Sequence, residues 1–199
     1  MIHLPDAPAT TKKVLRPATY LYPLPAVLVS SAGEVDGKRR ENLVTLAWSG
    51  IACSEPPMIS IAVRPSRFSH WLIASSGEFV VNVPSAAQSR AVDLCGNVSG
   101  KDTDKWALAG LTPAPAKVVG VPIVAECPVA LECRLRHTYR AGSHDLFIGE
   151  VVAVQASEGV VDAKGKIDVT RVDPLCYGSG LYWRLDFGQN LGESGFSLK

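Results

Sequence analysis

Short apolar runs rich in Val, Ile, Thr and aromatic residues dominate the chain, punctuated by Gly, Pro, Asp and Ser. The pattern predicts strands over 26–33 (AVLVSSAG), 43–53 (LVTLAWSGIAC), 58–64 (MISIAVR), 78–84 (EFVVNVP), 130–142 (ALECRLRHTYRAG) and 145–157 (DLFIGEVVAVQAS). The linking segments SSAGEVDGKRREN and YRAGSHD are too short to hide a crossover helix, so antiparallel neighbours are expected. Helical patterns are confined to 68–77 (FSHWLIASSG) and 85–100 (SAAQSRAVDLCGNVSG), each opening on capping chemistry and ending near Gly. Strands outnumber helices and do not alternate with them, and neither GxGxxG after a first strand nor GxxxxGK[ST] occurs. There is no internal repeat. The expected fold is mostly β: a closed antiparallel barrel with a few peripheral helices, because closure removes exposed strand edges. The Gly- and aromatic-rich end, YGSGLYWRLDFGQNLGESGFSLK, is expected to wrap the body or a partner subunit.

Composition narrows the function. With 199 residues, 47% apolar and 20% charged, the chain has the make-up of one globular domain. Twenty basic against 19 acidic residues leave a net charge of +1, which speaks against a general nucleic-acid binder. Five dispersed cysteines, Cys53, Cys95, Cys127, Cys133 and Cys176, show no CxxC spacing, so neither a disulfide framework nor a zinc site is indicated. MIHLPDAPATTKK lacks an apolar signal core, and no run approaches a membrane span, so a cytoplasmic setting is expected.

Three polar junctions carry candidate chemistry. In SEPPMISIAVRPSRFSHWLI (54–73), Arg64, Ser66, Arg67, Ser69 and His70 fall where a strand hands over to a helix. Free N–H groups at the helix start, two hydroxyls and two guanidiniums could hold a phosphate. The alternative is a serine N-cap with arginines in water, and this stretch alone favours the cap. In CGNVSGKDTDKW (95–106), Gly96 and Gly100 would admit a ligand close to the backbone, with Ser99, Lys101 and Lys105 around it. By itself this reads as a solvated loop. In NLVTLAWSG (42–50), the strand through Thr45, Leu46, Ala47 and Trp48 could line a flat heterocycle, or Trp48 could be a core residue.

Taken together, NLVTLAWSG, SEPPMISIAVRPSRFSHWLI, GEFVVNVP, CGNVSGKDTDKW, GLTP, AECPVALEC and GSHDLFIGEVVAV resemble, in order, the flavin reductase-like FMN-binding split-barrel family, flavoredoxins included. The resemblance runs from about Tyr20 to about Tyr182. It implies one domain over 1–199, with a core at about 20–182 and a tail at 183–199. It also implies an antiparallel Greek-key barrel, a homodimer, and FMN held non-covalently near the subunit interface. Position by position, Thr45, Leu46, Ala47 and Trp48 would line the isoalloxazine edge, and Arg64, Ser66, Arg67 and Ser69 would face the phosphate. Asn82, Val83 and Pro84 would support the ring or ribityl chain, and Ser99, Gly100, Lys101 and Lys105 would reach the tail. His144, in GSHD, matches the histidine that sits near the nicotinamide in related reductases; read without the family it is a hairpin-turn residue.

Other constellations are weaker. Cys133 and His137, four apart on a strand and hence on one face, with Cys127 nearby, lack a fourth metal ligand. Ser143, His144 and Asp145 are sequence neighbours without a GxSxG, so a hydrolase triad is poorly supported. The expected function is an FMN-dependent oxidoreductase taking electrons from NADH or NADPH and passing them to flavin, iron or a redox protein, with the flavin carrying the redox chemistry. Its rival is an electron carrier without nicotinamide activity. A flavin-storing or flavin-sensing barrel is a more remote third. No nicotinamide-binding fingerprint separates the first two, and no nucleic-acid, membrane or metal partner is expected.

Overall fold

The computed structural model describes residues 11–188 and Ser194. In chain order the strands are β1 Leu24–Pro25, β2 Val27–Val35, β3 Lys38–Leu46, β4 Ser49–Ser54, β5 Pro57–Val63, β6 Glu78–Val83, β7 Pro113–Ala114 and β8 Ile123–Val124. They continue with β9 Val129–Arg140, β10 Asp145–Ala156, β11 Leu175–Gly178 and β12 Leu181–Arg184. The helices are α1 Phe68–Ser76, α2 Ser89–Asn97, α3 Lys105–Ala109 and α4 Val169–Val172. The fold is mostly β, as expected, and every strand pair is antiparallel.

Seven strands form one sheet in the order β3-β2-β6-β9-β10-β5-β4. Its two edges are consecutive in the chain and meet at the Ala47–Trp48 corner, where Trp48 O accepts from Ala62 N at 2.8 Å. The single strand read over 43–53 is therefore two, split at the corner that turns the sheet back on itself. Inside lie Val27, Val29, Val44, Leu46, Ile61, Val63, Phe79 and Val81, spaced by two along each strand. The intervening residues Ala26, Leu28 and Leu43 are also buried, under α2 and α3. Burial of both faces explains why these strands read as continuous apolar runs rather than alternating ones. Gly149 is required by the core, since a Cβ there would stand 2.5 Å from Cζ of Phe79.

Several local expectations need correction. Arg136 is an extra residue in β9, because Leu135 faces Gly149 and His137 faces Ile148. This bulge puts His137 on the face opposite buried Cys133, so the two cannot share a ligand. The helix read over 85–100 is a 3-10 turn, Ala86–Gln88, followed by α2. Neither Ser66 nor Ser69 caps α1: its N-cap is Arg67, with no side-chain cap bond. Helix α3 lies in a segment read as loop, and its N-cap Asp104 accepts from Trp106 N and Ala107 N. Part of the C-terminal segment joins the body as the sheet β1-β11-β12. The rest, apart from 185–188 and Ser194, falls outside the described residues.

The segment from 112 to 124 has little regular structure and is held by side chains from the sheet. Glu132, fully buried, accepts from the N–H groups of Lys117, Val118 and Val119 and from Gln155. Glu78 accepts from Gly120 N, and Asn82 Oδ1 accepts from Val124 N. Burial alone would raise the Glu132 carboxyl, but these donors hold it below its ordinary value. Its contribution is therefore present above the ordinary carboxylate range and is lost as pH falls through the lowered folded value. Glu132→Gln should destabilise the fold by about 1–3 kcal/mol at pH 7. In urea titrations the gap from wild type should narrow progressively below pH ~4.5.

Candidate functional site

A cavity of about 390 Å³ opens at the end of β3, lined by Thr45, Leu46, Ala47 and Trp48. Among the described residues no strand pairs with the outer edge of β3. Lys105 Nζ donates to Leu43 O on that edge. A strand residue points its N–H and C=O to one side, and the side alternates, so the backbone of Thr45 faces the same free edge. Its hydroxyl is occupied, donating to Val92 O of α2. Thr45 thus offers main-chain groups to a ligand. Trp48 is 46% exposed, which removes the core-residue reading. Its indole lies nearly parallel to the His144 ring, with centroids 6.2 Å apart and an 8° tilt.

Arg64 and Arg67 line the same cavity, and Arg67 and Val44 also line an adjoining pocket of about 50 Å³. Ser66, Ser69, Ser99, Gly100 and Lys105 complete this smaller pocket. It sits at the start of α1. Arg67 N and His70 N are used in turns, to Arg64 O and Arg67 O, whereas Phe68 N and Ser69 N have no acceptor among the described residues. The Ser69 oxygen accepts from Asn42 Nδ2 at 2.8 Å and from Ser31 Oγ at 3.1 Å, which leaves its own proton to donate. Lys105 is only 5% exposed, and its ammonium donates to Leu43 O at 2.8 Å and Cys95 O at 2.7 Å. Two of its three protons are spent, and the third has no acceptor among the described residues. Burial, with Arg67 adding to it, pushes this lysine down to about 8.

Thus Thr45, Leu46, Ala47, Trp48, Arg64, Arg67 and His144 meet around one cavity, and Ser66, Ser69, Ser99, Gly100 and Lys105 around its annex. The other candidates do not join them. Asn82 is fully buried within the sheet, and its amide is consumed by Leu28 O, Ser30 Oγ and Val124 N. Val83 packs against Val129, Val160 and Val172, and Pro84 O accepts from Leu175 N. Lys101 is exposed outside both pockets, and its carbonyl accepts from Arg40. Gly100 does line the annex, but its close packing is against protein, because a Cβ there would fall 1.8 Å from Asn42 Oδ1. Asp145 bonds His70 at 2.8 Å, while Ser143 Oγ pairs with His144 Nδ1 at 2.9 Å, so no triad forms.

A second group of lining residues escaped the sequence reading: Asp93 and Asn97 from α2, with Tyr177 and Tyr182 from β11 and β12. The two tyrosines face each other across the strand pair, edge to face at 5.5 Å. Burial and the Asp93 carboxylate push Tyr182 up to about 12, so it remains a hydroxyl donor at neutral pH. Asp93 and Asn97 are four apart on one helix face and bonded to each other, and that spacing was the available signal. Partial burial and then Arg64 hold His144 below the ordinary imidazole value, so it is neutral at pH 7.

The shape and donor set fit a ligand with a flat ring and one anionic end. A cavity in the usual ligand range runs along free strand backbone beside an indole. Its small annex gathers two main-chain donors, hydroxyls and two cations.

Comparison with known proteins agrees. Residues 19–185 match the family model described as flavin reductase like domain. Flavoredoxin of Desulfovibrio vulgaris (Miyazaki F) is 34% identical, with a TM-score of 0.86 over 94% of this chain and 100% of that one. An FMN-binding protein from Thermus thermophilus is 29% identical, with a TM-score of 0.70 over 88% of this chain and 93% of that one. A Streptomyces globisporus protein named NADH-dependent FAD reductase is 26% identical over 66% of this chain and 73% of its own. With the family model spanning the barrel and both pockets, the chain belongs to the flavin reductase-like family.

Proposed function

We propose that this protein is an FMN-binding oxidoreductase that takes electrons from NADH or NADPH and delivers them to flavin, iron or a redox protein. The observation that carries the reading is the continuity of the two pockets through Arg67, a ring-sized slot joined to a phosphate-sized one. Bound FMN would supply the electron-accepting and electron-donating chemistry. The chain's own residues would bind and orient. The Thr45–Trp48 strand would hold the ring edge, and Arg67, Ser66, Ser69, Ser99 and Lys105 would hold the phosphate. His144, neutral and stacked beside Trp48, would position a nicotinamide at the cavity mouth rather than exchange protons. The relative named as an NADH-dependent FAD reductase supports a nicotinamide donor. The likeness to a flavoredoxin favours, as a second reading, an electron carrier without that activity.

The same reading has two copies associating, with exposed Ile51, Leu181 and Trp183 among the apolar surface a second copy would cover. It places the protein in the cytoplasm; no helix among the described residues is long and apolar enough to cross a membrane.

Purified protein should be yellow and release FMN rather than FAD; a colourless protein that takes up no added FMN would sink the proposal. Anaerobic mixing with NADH or NADPH should bleach the bound flavin within seconds, and no bleaching would favour the carrier. His144→Ala should slow that step roughly five- to a hundredfold while leaving dithionite reduction unchanged.

Arg67→Ala should weaken FMN by roughly ten- to a hundredfold and riboflavin little, measured by fluorescence titration. An equal loss for both flavins would mean that the change acts through folding. Because Lys105 loses its charge as pH rises through about 8, FMN affinity should fall there while riboflavin affinity holds. Lys105→Met should flatten the difference.

A further inference from the structure

We propose that the hydrogen bond between His70 and Asp145 is the latch that positions His144 at the cavity, tying the β9–β10 hairpin to the first turn of α1. The importance given to His144 rests on the function proposed above, but the latch itself is a claim about this chain alone.

Beyond its pairing with β5, which begins at Asp145, the hairpin tip has little else to hold it. Beyond the bulge at Arg136, all of β9's outer residues are exposed, as are Ala141, Gly142 and Ser143. Among the described residues its turn is closed by one backbone bond outside the ladder, Ala141 N to His144 O at 3.0 Å, and passes through Gly142 at a φ of +88°. His144's own hydrogen-bond partner, Ser143, belongs to the same turn and moves with it. Among the described residues, the one side-chain hydrogen bond from residues 140–145 to another element is Asp145 Oδ2 to His70 Nε2, at 2.8 Å.

That bond is well placed to hold. The side chains of His70 and Asp145 are only 17% and 13% exposed. The His70 ring rests 4.9 Å from the ring of Phe147, which is fully buried in the barrel. A carboxylate only accepts, so His70 Nε2 carries the proton that is shared. Asp145 is the residue next to His144 and the first of β10, paired with Val63 of β5 and Arg140 of β9. His70 is three residues beyond Arg67, which lines the anion pocket. The latch therefore fixes His144 relative to both the barrel and the end of the cavity that would hold a phosphate. Without it the hairpin would keep its ladder but lose its register against α1. The Trp48–His144 stack, at 6.2 Å, would be the first contact to open.

The test uses flavin-free full-length protein and imidazole proton NMR, with the His144 signal assigned from the His144→Gln variant. In wild type the His144 signal should be shifted by the Trp48 ring current, a shift that Trp48→Leu removes. His70→Phe fills the ring's volume without a donor and should abolish the shift and bring His144's titration back toward ordinary imidazole. His70→Gln retains a donor at the Nε2 position and should preserve both. An unchanged shift in His70→Phe, or its full loss in His70→Gln, would overturn the latch. Should His70→Phe fail to fold, Asp145→Asn, which keeps an acceptor oxygen, is compared with Asp145→Ala. Retention in the first and loss in the second uphold the proposal; any other pattern rejects it. In FMN-loaded protein, His70→Phe should slow reduction by NADH at least fivefold, and adding His144→Ala should slow it little further. If wild type is not reduced by nicotinamide at all, the proposed function fails while the NMR result still decides the latch.

Discussion

The bend at Ala47–Trp48, which joins the two edge strands of the seven-stranded sheet, is the constraint on which the rest of the structure depends. A sheet of this size would leave two unpaired edges, and both belong to consecutive strands, β3 and β4. The chain bends between them, and the bond from Ala62 N to Trp48 O carries the β4–β5 pairing up to the corner. Beyond the corner the outer edge of β3 has no strand partner among the described residues and is covered instead by α2, α3 and the β11–β12 pair. The cavity forms along that cover. Its backbone donors and its indole follow from that bend, and its cations come from the junction before α1 and from the start of α3.

Buried charge is handled by the same device at both ends of the molecule. Lys105 is buried against two carbonyl oxygens, and Glu132 against three main-chain N–H groups and one amide. In each case main-chain dipoles replace water and keep the burial tolerable. The consequences differ because the satisfaction differs. Glu132 has its acceptor capacity well used, so it clamps a loop and its carboxyl is held low. Lys105 has one proton without an acceptor among the described residues, beside a pocket that also contains Arg67, and burial lowers this lysine to about 8. One group holds a loop; the other faces a pocket.

Much of this architecture was written locally. Five of the six long β runs appear within a few residues of their expected bounds, the run read over 43–53 being split into β3 and β4, and the helix expected at 68–77 is found at Phe68–Ser76. The Arg64–Ser69 and Ser99–Lys105 segments, distant in sequence, do share a pocket at Arg67 and Lys105. Where local reading failed, long-range packing was responsible. Asn82 looks like a polar residue free to meet a ligand, yet its amide is spent holding the 112–124 segment to the sheet. Gly100 admits a close neighbour, as expected of glycine, but that neighbour is Asn42.

The sequence by itself determined what depends on near neighbours: strand-forming runs, antiparallel connections, the helix after the Arg64–Arg67 junction, and the residue types fit to hold an anion. Tertiary structure decided what depends on which surfaces meet. It chose Arg67 as the cation shared by both pockets and withdrew Lys101 to the surface. It supplied Asp93, Tyr177 and Tyr182 as a wall that no motif announced, and joined Asp145 to His70 rather than to its sequence neighbour. Strand and turn preferences are fixed by sterics within a few residues, so they can be read one stretch at a time. A side chain's partner depends on register and closure across the whole barrel, and the single extra residue at Arg136 is enough to turn His137 away from Cys133.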